Sequence, residues 1–228
     1  MRHVRQFGIP RLLICIVTLA CLSSFVFSIT LAQKIDSLPT KELPLVIDST
    51  NRRVLVYAEV NEQGSAKIST HFGIVFKDGK LADKALFRAY ATPSQLYDAL
   101  YVIGMKQGDN LTEDSRGKHA EGDPLDVSLI WPGLNREFPL KNILTDSGGK
   151  GFDIRFGGNK RASALENSGC LTCLESCWVG ITSNAAYPVT NTLQRFFRPN
   201  SQFSINRNVL PLTAGDSVIL IYRMKTGK

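Results

Sequence analysis

The sequence predicts an α+β domain: a mainly antiparallel or mixed sheet, one or two packed helices and a cysteine-containing loop. Three observations predict it. Short runs rich in β-branched and aromatic residues recur along the chain, separated by Gly-, Asn- and Asp-rich turns. Strong helix punctuation surrounds one segment, with Thr92-Pro93 at its start and Gly104 at its end. The regular strand–helix–strand rhythm of a doubly wound parallel sheet is missing.

The elements follow in order. Arg53 to Val60 (RVLVYAEV) reads as a strand, with a turn at 61–65, and His71 to Phe76 (HFGIVF) as a second strand, closed by the turn Lys77 to Lys80. Ala85 to Tyr90 is a third apolar run. The helix takes Thr92 as N-cap and Pro93 as first residue, where the missing N–H costs nothing. Its Leu96, Ala99, Leu100 and Ile103 fall at helical spacing and give one face to pack on a sheet. Residues 104–124 are polar and glycine-punctuated. Leu125 to Trp131 then alternates as a half-buried strand should, and Phe152 to Phe156 does likewise until Gly157-Gly158 breaks it. Ser147 to Gly151 (SGGKG) lacks the spacing of a phosphate-binding loop and reads as a turn before that strand. Ser217 to Arg223 is a strand too apolar to be solvated on both faces.

The start of the chain is of another kind. Arg2, Arg5 and Arg11 precede an apolar run from Leu12 to Ala32, with no acidic residue before Asp36. Residues 1–32 are thus a signal peptide, with Thr30-Leu31-Ala32 as cleavage site, or an uncleaved N-terminal membrane anchor, since about 20 apolar residues span a bilayer. Thr18-Leu19-Ala20-Cys21 also imitates a lipoprotein signal, although Cys15 and Cys21 read more simply as small apolar residues of the run. In each case the arginines stay inside and the rest is exported, which predicts a periplasmic protein or one at the extracytoplasmic face of the bacterial inner membrane. Residues 33–44 are a tether, and 45–228 a single domain.

Charge excludes one class of partner. The net charge of +7 includes the three leader arginines; without them 24 basic residues face 20 acidic ones. No basic block interleaves with aromatics, so nucleic-acid binding is not expected. No nucleophile elbow, HExxH or Ser-His-Asp set is present, and the chain reads as an electron carrier or binding module rather than an enzyme in its own right. The acidic residues of 108–126, gathered around His119, lack the ligand order of an EF-hand and read as a solvated loop.

The chemistry concentrates in Gly169 to Trp178 (GCLTCLESCW). Cys170, Cys173 and Cys177 stand at x2 and x3 spacing, and the other two cysteines of the chain are in the leader. On a helix, or in an irregular loop, that spacing turns three sulfurs toward one centre. It approaches the bacterial iron–sulfur run C-x2-C-x2-C-x3-C-P, short of one x2 unit. Three thiolates hold a [3Fe–4S] cluster outright, or a [4Fe–4S] cluster if another group takes the fourth iron; His71, His119 and Glu175 are the candidates in the exported part. A disulfide between two of the three, with one buried thiol left over, and a thiolate copper or zinc site are the alternatives.

Several of these runs together carry a resemblance. Gly169 to Cys177, its continuation Val179 to Pro188 (VGITSNAAYP), FDIRFGGN at 152–159, HFGIVF at 71–76 and GDNLT at 108–112 resemble the YdjY-like domain family of exported bacterial proteins. The similarity covers nearly all of 45–228. It implies a ferredoxin-like, iron–sulfur protein; as an electron carrier the chain would hold a [4Fe–4S] or [3Fe–4S] cluster on Cys170, Cys173 and Cys177 and serve a membrane redox complex as its partner. The family has proline after the third cysteine, where this chain has Trp178. Export sits less easily with a cluster, because the start MRHVRQFGIPR has no twin-arginine pair.

Overall fold

The structure is a computed structural model, and it describes residues 38–61, 70–190 and 202–225. The leader with Cys15 and Cys21, the tether up to residue 37 and all but the first residue of the turn at 61–65 lie outside the described residues.

Twelve strands are described: β1 (Leu45–Asp48), β2 (Arg53–Val60), β3 (Phe72–Phe76), β4 (Phe87–Ala89), β5 (Leu125–Ile130), β6 (Phe138–Pro139), β7 (Leu144–Asp146), β8 (Ile154–Arg155), β9 (Cys170–Cys173), β10 (Thr182–Asn184), β11 (Phe203–Ile205) and β12 (Ser217–Met224). The helices are α1 (Pro93–Val102), α2 (Leu140–Ile143) and α3 (Lys160–Leu165). The main sheet runs β6-β5-β12-β2-β4-β3-β9-β10-β8, with β1 on the edge of β2 and β11-β7 as a separate pair. It is mixed: β3–β4 and β9–β10 are parallel, and its other pairs are antiparallel.

The α+β expectation is corrected. Among the described residues the fold is mostly β, 32% strand against 14% helix, with the sheet curled into a half-barrel. The physical reason is visible in one contact. β12 and β9 are four strands apart in the sheet order, which in a flat sheet separates them by roughly 19 Å. Yet the Tyr222 hydroxyl of β12 and the Thr172 hydroxyl of β9 share a hydrogen bond of 2.9 Å, both fully buried. The sheet therefore closes over its own apolar face, and no layer of helices is needed to cover it.

α1 forms where the sequence places it. Thr92 accepts from the Gln95 amide while the Gln95 side chain accepts from the Thr92 amide, a complete capping box, and Pro93 opens the helix. Leu96, Ala99 and Leu100 are buried, and each leucine contributes about 2 kcal/mol of transfer free energy. The other two helices are single turns of four and six residues. The expected strands at 53–60, 125–131 and 217–223 are present nearly end to end, whereas 85–90 and 152–156 shrink to β4 and β8. α3 also intervenes between β8 and the cysteine segment.

Candidate functional site

In a regular strand Cys170 and Cys173, three residues apart, would point to opposite faces. They do not. β9 pairs with β3 as Val75↔Cys170, Ile74↔Thr172 and Phe72↔Cys173, so Leu171 is an extra residue in one strand and Gly73 in the other. These two bulges shift the phase of the pleat. Leu171 joins the main core with Ile74 and Leu174. Cys170 and Cys173 both turn to the other side, where they pack with Phe72, Val75, Leu81, Ala82 and Ala85, and Cys177 lies partly buried against them. Glycine suits the β3 bulge, because a Cβ on Gly73 would press on Leu174 Cδ2 and the Thr172 carbonyl at 3.0 Å. The helix or irregular loop expected for the first two cysteines is thus a bulged strand.

Residues 174–181 then loop back and enter β10 parallel to β9, with Thr182 beside Thr172 and Ser183 beside Cys173. So short a link between adjacent parallel strands is unusual, and hydrogen bonds hold it. The Leu174 amide donates to the His71 carbonyl at 2.8 Å, the Ser176 amide to Tyr187 at 3.1 Å and the Ile181 amide to Cys170 at 3.2 Å. Asn159 clamps the middle: its side-chain amide donates to the Cys177 and Gly180 carbonyls, each at 3.2 Å. Asp109 fixes Asn159 in turn, accepting from its backbone N–H at 2.7 Å. Gly180 presses on the centre, since a Cβ there would sit 3.0 Å from the Cys173 sulfur. Trp178 is buried with Leu111, Ala120, Val179 and Val189 and anchors the loop by packing.

The three thiols have unequal electrostatics. Cys173 is in the middle: hydrogen-bonding contact with the Cys170 and Cys177 thiols, reinforced by full burial, pushes its thiol well above the usual range. Cys177 moves the opposite way. The Cys173 thiol donates to its sulfur, and the backbone N–H groups of Val179 and Gly180 add to this against the effects of burial and the Glu175 carboxylate. The two thiols are thus driven apart in acidity, with Cys177 the more acidic, and Cys177 is also the most exposed of the three.

The candidates for completing a ligand set each have contacts of their own. His71 is buried with its ring 3.9 Å from that of Phe72. His119 is exposed, and its Nδ1 donates to the Ala185 carbonyl at 2.6 Å. Glu175 is buried and accepts from Thr190 at 2.5 Å. Among the described residues no three His, Cys, Asp or Glu side chains stand ready as a metal-ligand set. The Cys170 thiol, for one, faces the Ser168 carbonyl at 3.9 Å. In number, softness and shared face the three sulfurs fit a thiolate-ligated group, provided their side chains rotate.

Four further residues support the site. Asp109 and Asn159 clamp the loop, and Asn184 ties it to the segment before β8: its Oδ1 accepts from the Asp153 and Ala186 amides, and its Nδ2 donates to the Gly151 carbonyl. Tyr187 donates to Asp146 at 2.5 Å and accepts from the Lys150 amide at 3.1 Å. Each lies within a run that carries the family resemblance, so the signal was present as motif rather than as chemistry.

Comparison with known proteins agrees. The family model described as the YdjY domain matches residues 45–223. A relative in Escherichia coli (strain K12), named uncharacterized protein YdjY, is 40% identical over 169 residues, 74% of this chain and 73% of the relative. No solved structure matches. On the cysteine segment, its clamp and the match over most of its length, the chain belongs to the YdjY domain family.

Proposed function

We propose that the domain is an exported electron carrier whose centre is a thiolate-ligated iron–sulfur cluster on Cys170, Cys173 and Cys177. The observation that carries the reading is the double bulge of β3 and β9, which spends two register shifts on bringing Cys170 and Cys173 to one face. The Cys173 thiol contacts both Cys170 and Cys177, and three soft donors gathered on one face suit joint ligation. When bound, the cluster supplies one-electron exchange. The chain's own residues exclude water from Cys170 and Cys173, and aim two backbone N–H groups at the Cys177 sulfur. The leader and its arginines support a location outside the cytoplasm, with a membrane redox complex as the electron-transfer partner.

The test is anaerobic purification from the native host, followed by an absorption spectrum and iron and sulfide analysis. A broad brown absorption with iron and sulfide, abolished in Cys173→Ser, is the expected result. Colourless protein without iron or sulfide, prepared in that way, overturns the reading.

A further inference from the structure

We propose that Cys173 and Cys177 form a reversible disulfide, and that Cys177 is the point at which a disulfide-bearing partner or small-molecule disulfide enters the centre. Three geometric facts single out this pair. Cys170 and Cys173 are fully buried, while Cys177 is partly exposed, so an oxidant arriving from solvent meets Cys177 first. Cys173 is in hydrogen-bonding contact with both Cys177 and Cys170, so it is the thiol within reach of Cys177. Cys170 and Cys173 are both ladder residues of β9, held by pairing with Val75 and Phe72 of β3. The loop 174–181 has no such restraint from a ladder.

The exchange balances. Cys177 gives up its proton, and its sulfur attacks one sulfur of an external disulfide, forming a mixed disulfide and releasing the first external thiolate, which takes up a proton. The Cys173 sulfur, giving up its proton, attacks Cys177, which forms the internal bond and releases the second thiolate. Two electrons and two protons pass from the pair to the external disulfide, which leaves as two thiols. Reduction by a dithiol runs the sequence backwards. Cys170 stays a buried thiol throughout. Closing the bond removes two of the three sulfurs from ligation, so the same disulfide acts as an on–off gate; that consequence alone rests on the proposed thiolate centre.

The full chain, purified reduced and without oxygen, is treated with oxidised glutathione, its free thiols are alkylated, and it is cleaved after glutamate. Cutting after Glu166 and Glu175 separates Cys170 and Cys173 from Cys177. The expected result is a cross-link between the 167–175 peptide and the peptide carrying Cys177, with Cys170 alkylated. The cross-link persists in Cys170→Ser, and Cys173→Ser instead accumulates glutathione on Cys177. All three thiols alkylated in the wild type, or a bond that uses Cys170, overturns the proposal. Wild-type mapping decides this even if a variant misfolds. Metal content is measured on the same reduced sample, so a missing cluster with an intact cross-link refutes only the electron-carrier reading.

Discussion

Asn159 shows what one residue does for this site. It sits at φ 52°, in the left-handed region that asparagine tolerates better than most residues. From there its amide reaches two carbonyls of the cysteine loop. Asn159→Ala removes both bonds, at about 1–2 kcal/mol in total, and adds backbone strain. The loop should open more often, raising the alkylation rate of Cys177 in the native protein roughly ten-fold at fixed pH. Asn159→Gly separates the causes, because it relieves the strain but also lacks the amide. A rise in both variants assigns the effect to the amide, and no rise in either refutes the clamp. At this scale the sequence was half legible. The three cysteines were identified by type and spacing, because sulfur is rare in this chain. Asn159 and Asp109 were not, because a polar residue's partner 50 positions away leaves no local pattern.

Among the elements, the β1–β2 hairpin carries a charge-dependent lock. Asp48 ends β1 opposite Arg53. Its carboxylate accepts from the Asn51 amide, the Asn51 side chain and Arg53 Nε at 3.1, 2.7 and 2.8 Å. Burial would raise the carboxyl, but these donors and the guanidinium charge outweigh it and lower it to about 2. A depressed folded value stabilises above the unfolded pKa, near 4, and the contribution is lost as pH falls from there toward 2. With discounting for solvent screening it is worth about 1 kcal/mol. Urea titrations at pH 6 and pH 3 should show Asp48→Asn less stable than the wild type by about that amount at pH 6, with the gap narrowing at pH 3. A gap of equal size at both pH values contradicts the lock. Legibility at this scale tracks regular periodicity. α1 had caps and a 3.6-residue repeat, and β2, β5 and β12 had long apolar or alternating runs. β9 had neither: its four residues are all buried, and the bulge at Leu171 breaks the alternation that reveals a strand. β10 and α3 are too short for any period to emerge.

Curvature belongs to the whole molecule, and it is why the fold class was misjudged: local patterns give strands and helices but not how far a sheet bends. Closure here is marked by the buried hydroxyls of Tyr222 and Thr172, with the Thr182 hydroxyl 2.9 Å from both Thr172 Oγ1 and the Leu171 carbonyl. Burial pushes the Tyr222 phenol well above its usual range, against the smaller opposing effect of Thr172, so it stays neutral wherever the fold survives. Tyr222→Phe should cost about 1–2 kcal/mol, because it leaves Thr172 short of one partner in a dry interior. Thr172→Val should cost a similar amount, for it strips a partner from both Tyr222 and Thr182. If the contact joins the two ends of the curl, the double variant loses less than the sum, by a coupling of about 1 kcal/mol. Denaturant titration of all four proteins gives that coupling directly. Strict additivity would mean that the two hydroxyls do not interact, and the half-barrel would then owe its closure to apolar packing alone.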